Sequence, residues 1–157
     1  PLVGHPTLSV GVISGGISVN TVPDRCTIEI DRRVLPGEDP DASFNQAVKH
    51  MNSYVTTGTP VVHERPFMLT KGLNDDYNGP LAERLSQSIL HHASAAGLRI
   101  GVPFGTDAPH YAATGSPTVV FGPGSIAQAH TKDEWIDLHQ LQTASDVLYD
   151  LIRHWDE

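Results

Sequence analysis

The chain has 157 residues, with 10 Lys and Arg against 18 Asp and Glu, a formal charge of -8 and an apolar fraction of 39%. That size fits one ordinary domain or two small ones, and its Leu, Val and Ile, punctuated by 12 Pro and 14 Gly, are enough for a core and too many for a disordered tail. The acidic balance, with no cluster of Lys and Arg, argues against nucleic acid, whose phosphates are held mainly by grouped cations. No apolar run approaches the roughly 20 residues needed to cross a bilayer. The start, PLVGHPTLSV, lacks the basic residues and apolar stretch of a signal peptide, so no membrane partner is expected. The lone Cys26 can form no internal disulfide, which is the usage of a reduced, cytoplasmic protein. Pro1 stands where an initiator Met would, and the true N-terminus is expected to lie elsewhere.

In chain order, TLSVGVIS from Thr7 to Ser14 reads as a strand, and Gly15-Gly16 then supplies the positive φ of a turn or bulge. RCTIEIDRRV alternates cleanly, with Cys26, Ile28, Ile30 and Arg32 on a face expected to be buried and Thr27, Glu29, Asp31 and Arg33 on a polar one. Pro36-Gly37 ends that strand. Asp39 or Asp41 caps a helix whose apolar positions are Phe44, Ala47, Val48, Met51 and Val55, closed at Gly58 to Pro60, and VVHE at 61 to 64 reads as a short strand. This order suggests most of a split β-α-β sandwich without its beginning. A polar, Gly-containing link from Phe67 to Gly79 separates the two parts, 1 to 67 and 68 to 157. Beyond it, Pro80 opens a helix lined by Leu81, Leu85, Ile89 and Ala93 and ending near Gly97. LRIG at 98 to 101 and PTVVFG at 117 to 122 are continuous apolar runs, expected as strands covered on both faces. A last helix, roughly 137 to 155, carries Leu138, Leu141, Val147, Leu148, Leu151 and Trp155 on one stripe. The expected class is α/β.

Of the nine His, His130 stands apart. It follows the apolar run 117 to 122 in GPGSIAQAHTKDEW, near the carboxyl edge of the expected sheet, where α/β proteins place ligands, and its spacing leaves open either a metal ligand or a residue preceding a Thr131–Glu134 capping box. His50, His63, His91, His92 and His154 read as surface or helix-end residues. In GTDAPHY, Asp107 and His110 lie three apart, Thr106 or Asp107 is a natural N-cap, and Gly105 and Thr106 are placed to offer free amides to an anion. Arg33 and Asn20 are positioned to reach one anionic group over the polar strand face, with an ion pair from Arg33 to Asp31 or Glu29 as the plainer alternative. No Gly-x-Ser-x-Gly nucleophile elbow is present, and Gly15-Gly16 lacks the residues that complete a phosphate cradle.

Two ordered blocks, VGVISGGISVNTVPDRCTIEIDRRVLPGED and FGTDAPHYAATGSPTVVFGPGSIAQAHTKDEW, resemble the C-terminal half of the acetylornithine deacetylase family, which also holds succinyl-diaminopimelate desuccinylase, aminoacylase and carboxypeptidase G. The resemblance implies a partial ferredoxin-like lid, or dimerisation, domain followed by the C-terminal part of a zinc-peptidase-like catalytic domain. It implies a hydrolase in which two bridged divalent ions, zinc or cobalt, activate a water that cleaves an N-acyl amide of a small amino acid such as N-acetylornithine. By position, His130 matches the last metal ligand and Glu134 the acidic residue orienting it. Arg33 and Asn20 match lid groups that grip the substrate carboxylate, and Gly105 and Thr106 the loop contacting it from the catalytic side. The family's earlier metal ligands and its general base precede the matched region. The chain is therefore expected to be a fragment, inactive alone, whose partners are an N-acylated amino acid, the N-terminal half of the same protein and a second copy joined through the lid. The alternative is a non-catalytic dimerisation or assembly module.

Overall fold

The computed structural model describes residues 3–56, 58, 60–93 and 97–155. It comprises two compact units, Pro1–Gly72 and Leu73–Glu157.

In the first unit, β1 (Thr7–Gly15) and β2 (Cys26–Arg33) form an antiparallel hairpin running from Thr7 opposite Arg33 to Gly15 opposite Cys26. The register slips between Val10 and Val12, so the bulge falls at Gly11, while Gly16, at φ +76°, opens the connection. Gly15 is required by close approach, because a Cβ there would lie 2.7 Å from the Arg25 carbonyl oxygen. The register puts Leu8, Val10, Ile13, Ile28 and Ile30 on one face, as the alternation predicts. That face is open rather than buried: Ile13 is 72% exposed and Val10 56%. The helix α1 (Pro40–Asn52) does not pack on the hairpin, so no described helix of this unit covers that face. Asp39 caps α1, its carboxylate accepting from the Asp41 amide at 2.9 Å, with Pro40 in the first turn. Val55, expected on the helix, lies past its end, and Thr57 and Thr59 around the expected closure fall outside the described residues. The return segment is tied to α1 by Arg65 on Asp41 and by His63 Nε2 to Asn52 Oδ1 at 2.8 Å. Gly72 then lies so close to Leu35 and Pro36 that a Cβ would sit 2.7 Å from the Pro36 nitrogen.

The second unit is built on α2 (Gly79–Ala93) and α4 (Leu138–Arg153), which pack on each other. Leu85 of α2 and Ala144 and Val147 of α4 are buried, and Ala108 of the short α3 (Ala108–Ala112) is the remaining buried apolar residue described. Ser88, in the α2 face turned to α4, is also buried and donates to the Val147 carbonyl and to Asp150. The stripe expected on α4 is only partly used, since Leu138 is 78% exposed while Leu141 and Leu148 also face outward. The helix α2, expected to end near Gly97, is described to Ala93, and residues 94–96 fall outside the described residues.

The strands expected at 61–64, 98–101 and 117–122 do not form; β1 and β2 are the only strands among the described residues. A strand exists through backbone bonds exchanged with a neighbour, and no neighbour is offered to these three segments. At 117–122 the substitute is a side chain: the buried Asn78 accepts from the Thr118 amide at 2.7 Å and donates to the Asn74 carbonyl at 2.8 Å. The architecture is mixed α/β with little interior. Its accessible surface is 12557 Å², whereas two separate globules of these sizes would show roughly 9,300 Å². No described helix is long and apolar enough to cross a membrane.

Candidate functional site

The His130 segment is built by capping and turn chemistry. A single 3-10 turn at Ile126–Gln128 is capped by Ser125, whose hydroxyl accepts from the Ala127 amide at 3.3 Å. The Gln128 carbonyl then accepts from both the Thr131 amide, at 3.4 Å, and the Thr131 hydroxyl, at 2.7 Å. Between them His130 adopts φ +59°, and its amide donates to Glu134 Oε2 at 3.1 Å. The capping-box alternative does not hold, because no helix begins at Thr131 and Glu134 reaches the amide of His130. The segment is fastened to α4 at Gly124, whose amide donates to Gln140 Oε1 at 2.9 Å and where a Cβ would meet the Ile136 side chain at 3.7 Å. Asp137 caps α4 by accepting from the His139 amide at 2.7 Å.

Around Gly105 and Thr106, Asp107 occupies the N-cap position of α3 without a side-chain cap bond, and the Thr106 hydroxyl accepts from the Ala108 amide at 3.2 Å. Asp107 also accepts from the His110 amide, but through its backbone carbonyl. With five residues, α3 aligns too few peptide dipoles to make a strong anion site by itself. No hydrogen bond among the described residues joins Gly105 or Thr106 to His130 or Glu134.

In the first unit, Arg33 Nε donates to Asp31 Oδ2 at 2.8 Å with both side chains more than half exposed, which is the plainer of its two expected arrangements. Asn20 lies in the connection between the strands and accepts from the Ser18 hydroxyl. The hairpin keeps the two apart, because the connection leaves β2 at Cys26, whereas Arg33 closes its far end. An eight-residue strand spans roughly 23 Å between its terminal α-carbons. One small anion over a single hairpin is therefore not held by both.

The sequence reading missed a polar cluster where α2 meets α4. Asp150 Oδ2 accepts from the Ser88 hydroxyl at 2.7 Å, while its Oδ1 lies 3.2 Å from His154 Nδ1 and 3.7 Å from His92 Nε2. The Ser88 hydroxyl is the main cause holding the Asp150 carboxyl below its ordinary value; desolvation opposes this, and His154, His92 and His91 assist. Arg84 donates to the carbonyls of His154 and Trp155 and lies over the Trp155 ring. Helical periodicity at Ser88 and Asp150, four residues before His92 and His154 respectively, is the signal that would have found this cluster.

Among the described residues no three His, Cys, Asp or Glu side chains group to hold a metal ion. His130 fits a divalent metal as one exposed imidazole donor, and these residues do not form a metal centre by themselves.

Residues 2–58 match the M20 peptidase dimerisation domain. Over 98% of its length the chain is 30% identical to an acetylornithine deacetylase of Edwardsiella ictaluri, and over 95% it is 27% identical to one of Myxococcus xanthus. It spans 38% of each of these curated relatives, corresponding to their C-terminal part. Its fold resembles that of an M20 family metallo-carboxypeptidase from Sulfolobus solfataricus, with a TM-score of 0.73 at 16% identity, covering 97% of this chain and 36% of that one. Residues 2–58 are thus similar to an M20 dimerisation domain and the chain, along its length, is similar to the C-terminal part of acetylornithine deacetylases.

Proposed function

We propose that this chain is the C-terminal portion of a metal-dependent amidohydrolase that removes the N-acyl group from a small amino acid such as N-acetylornithine. The observation carrying the proposal is the His130 turn, an exposed imidazole on a left-handed residue gripped by Glu134, in a segment that falls within the similarity to acetylornithine deacetylases. When bound in the complete enzyme, two divalent ions, zinc or cobalt, would supply an activated water, and His130 would contribute one imidazole donor toward them. Arg33 exchanges Asp31 for the substrate carboxylate, which a guanidinium holds through two parallel bonds. Gly105 and Thr106 border the substrate from the second unit, while Asn20, at the other end of the hairpin, lies out of reach of the carboxylate that Arg33 holds. Parts 1–67 and 68–157 act as lid and catalytic portions of a cytoplasmic homodimer. The open apolar hairpin face and the three unpaired strand segments support a fragment reading, since each requires a covering layer or neighbouring strand.

The test is hydrolysis of N-acetylornithine and other N-acetyl amino acids by the complete protein supplied with zinc or cobalt. Activity is expected, with His130→Ala reducing it at least a hundredfold and Arg33→Ala raising KM strongly while changing kcat less. No hydrolysis with either metal, or unchanged kinetics in both variants, would overturn the proposal. The match of residues 2–58 to a dimerisation domain favours a second reading, a non-catalytic assembly module. That reading predicts a stable dimer of the complete protein with no metal-dependent hydrolysis.

A further inference from the structure

His130 is the one non-glycine residue with positive φ among those described. The left-handed region crowds the β-carbon of an L residue against the following carbonyl, so a residue stays there only when its surroundings hold it. On one side, the Gln128 carbonyl fixes Thr131 twice. At His130 itself the holding group is Glu134, whose Oε2 takes the amide at 3.1 Å. No ion pair among the described residues involves Glu134, so a nearby cation does not explain where its carboxylate lies. The backbone torsion at His130 sets the direction of its Cα–Cβ bond, and with it where the imidazole is presented.

We propose that Glu134 is the positioning residue of His130, acting through the backbone: it captures the His130 amide and fixes the left-handed turn that aims the ring. This deepens the functional reading above and rests on it for what the ring meets, but the hold itself is a property of this segment. A carboxylate suits the task because a charged acceptor binds an amide about twice as strongly as a neutral one, and the bond closes within five residues.

The experiment is fast amide-exchange NMR on the full chain, read at His130, with Leu141 and His154 in α4 as internal references. Glu134→Ala is expected to accelerate His130 exchange about tenfold with the references unchanged. Glu134→Gln, which keeps an acceptor oxygen at the same reach, should bring it back to within about threefold of the parent. Glu134→Asp, one methylene shorter, should not. Unchanged His130 exchange in Glu134→Ala, or equal rates in the Gln and Asp variants, would overturn the proposal. If the Ala variant loosens α4 as well, the Gln and Asp pair decides. Because exchange needs neither substrate nor metal, this outcome is separate from the effect of His130→Ala on hydrolysis, which tests the functional reading.

Discussion

Val147 is the single side chain described as less than 2% exposed, and it sits where α4 meets α2. Val147→Ala deletes two methyl groups from that contact. At about 0.8 kcal/mol for each buried carbon, transfer alone costs about 1.6 kcal/mol. The residual cavity raises this to about 2–3 kcal/mol, because the backbone there is pinned by the Ser88 hydroxyl on the Val147 carbonyl at 2.8 Å and cannot collapse freely. Only Leu85, Ala108 and Ala144 share the buried apolar set, so little else offsets the loss. Urea unfolding of the full chain followed by circular dichroism should show a midpoint lowered by about 1–2 M. Leu138→Ala in the same helix, at a side chain 78% exposed, should shift stability by no more than about 0.5 kcal/mol. Equal midpoints for the two variants would refute the placement of the core between α2 and α4.

Two further tests address other parts of the fold. Gly72→Ala forces a β-carbon to within 2.7 Å of the Pro36 nitrogen and 3.0 Å of the Leu35 carbonyl carbon, both backbone atoms, so the first unit should lose about 1–3 kcal/mol. Limited proteolysis should then cut the Phe67–Gly79 link faster than in Gly58→Ala, where the added carbon meets open space, and equal rates would count against the contact. Asp150 is held below its ordinary value of 3.8, so its contribution is present above that pH and is lost as pH falls through the lower folded value. Asp150→Asn should therefore lower Tm at pH 7 and flatten the acid limb below pH 3.8; parallel Tm curves for parent and variant would contradict the assignment.

Local chemistry is what the sequence by itself determined. Asp39 before Pro40 starts α1, Pro80 and the apolar residues at four-residue spacing define α2, and the alternation from Cys26 to Arg33 sets which side chains share a hairpin face. These features are readable because caps and periodicity act within a few residues of their cause. The two motif blocks singled out His130, Glu134, Arg33, Asn20, Gly105 and Thr106 without revealing their conformations. Tertiary structure decided the rest. Arg33 lies on Asp31 and Asn20 at the opposite end of the hairpin, a separation that depends on strand register. The runs 98–101 and 117–122 have the composition of buried strands, but composition cannot supply the neighbouring backbone that a ladder requires. The left-handed turn at His130 arises because Glu134 reaches back to an amide four residues earlier, and no propensity of histidine predicts it. Likewise, Ser88, a small polar residue, is buried because Asp150 and the Val147 carbonyl satisfy its hydroxyl from a helix about sixty residues away.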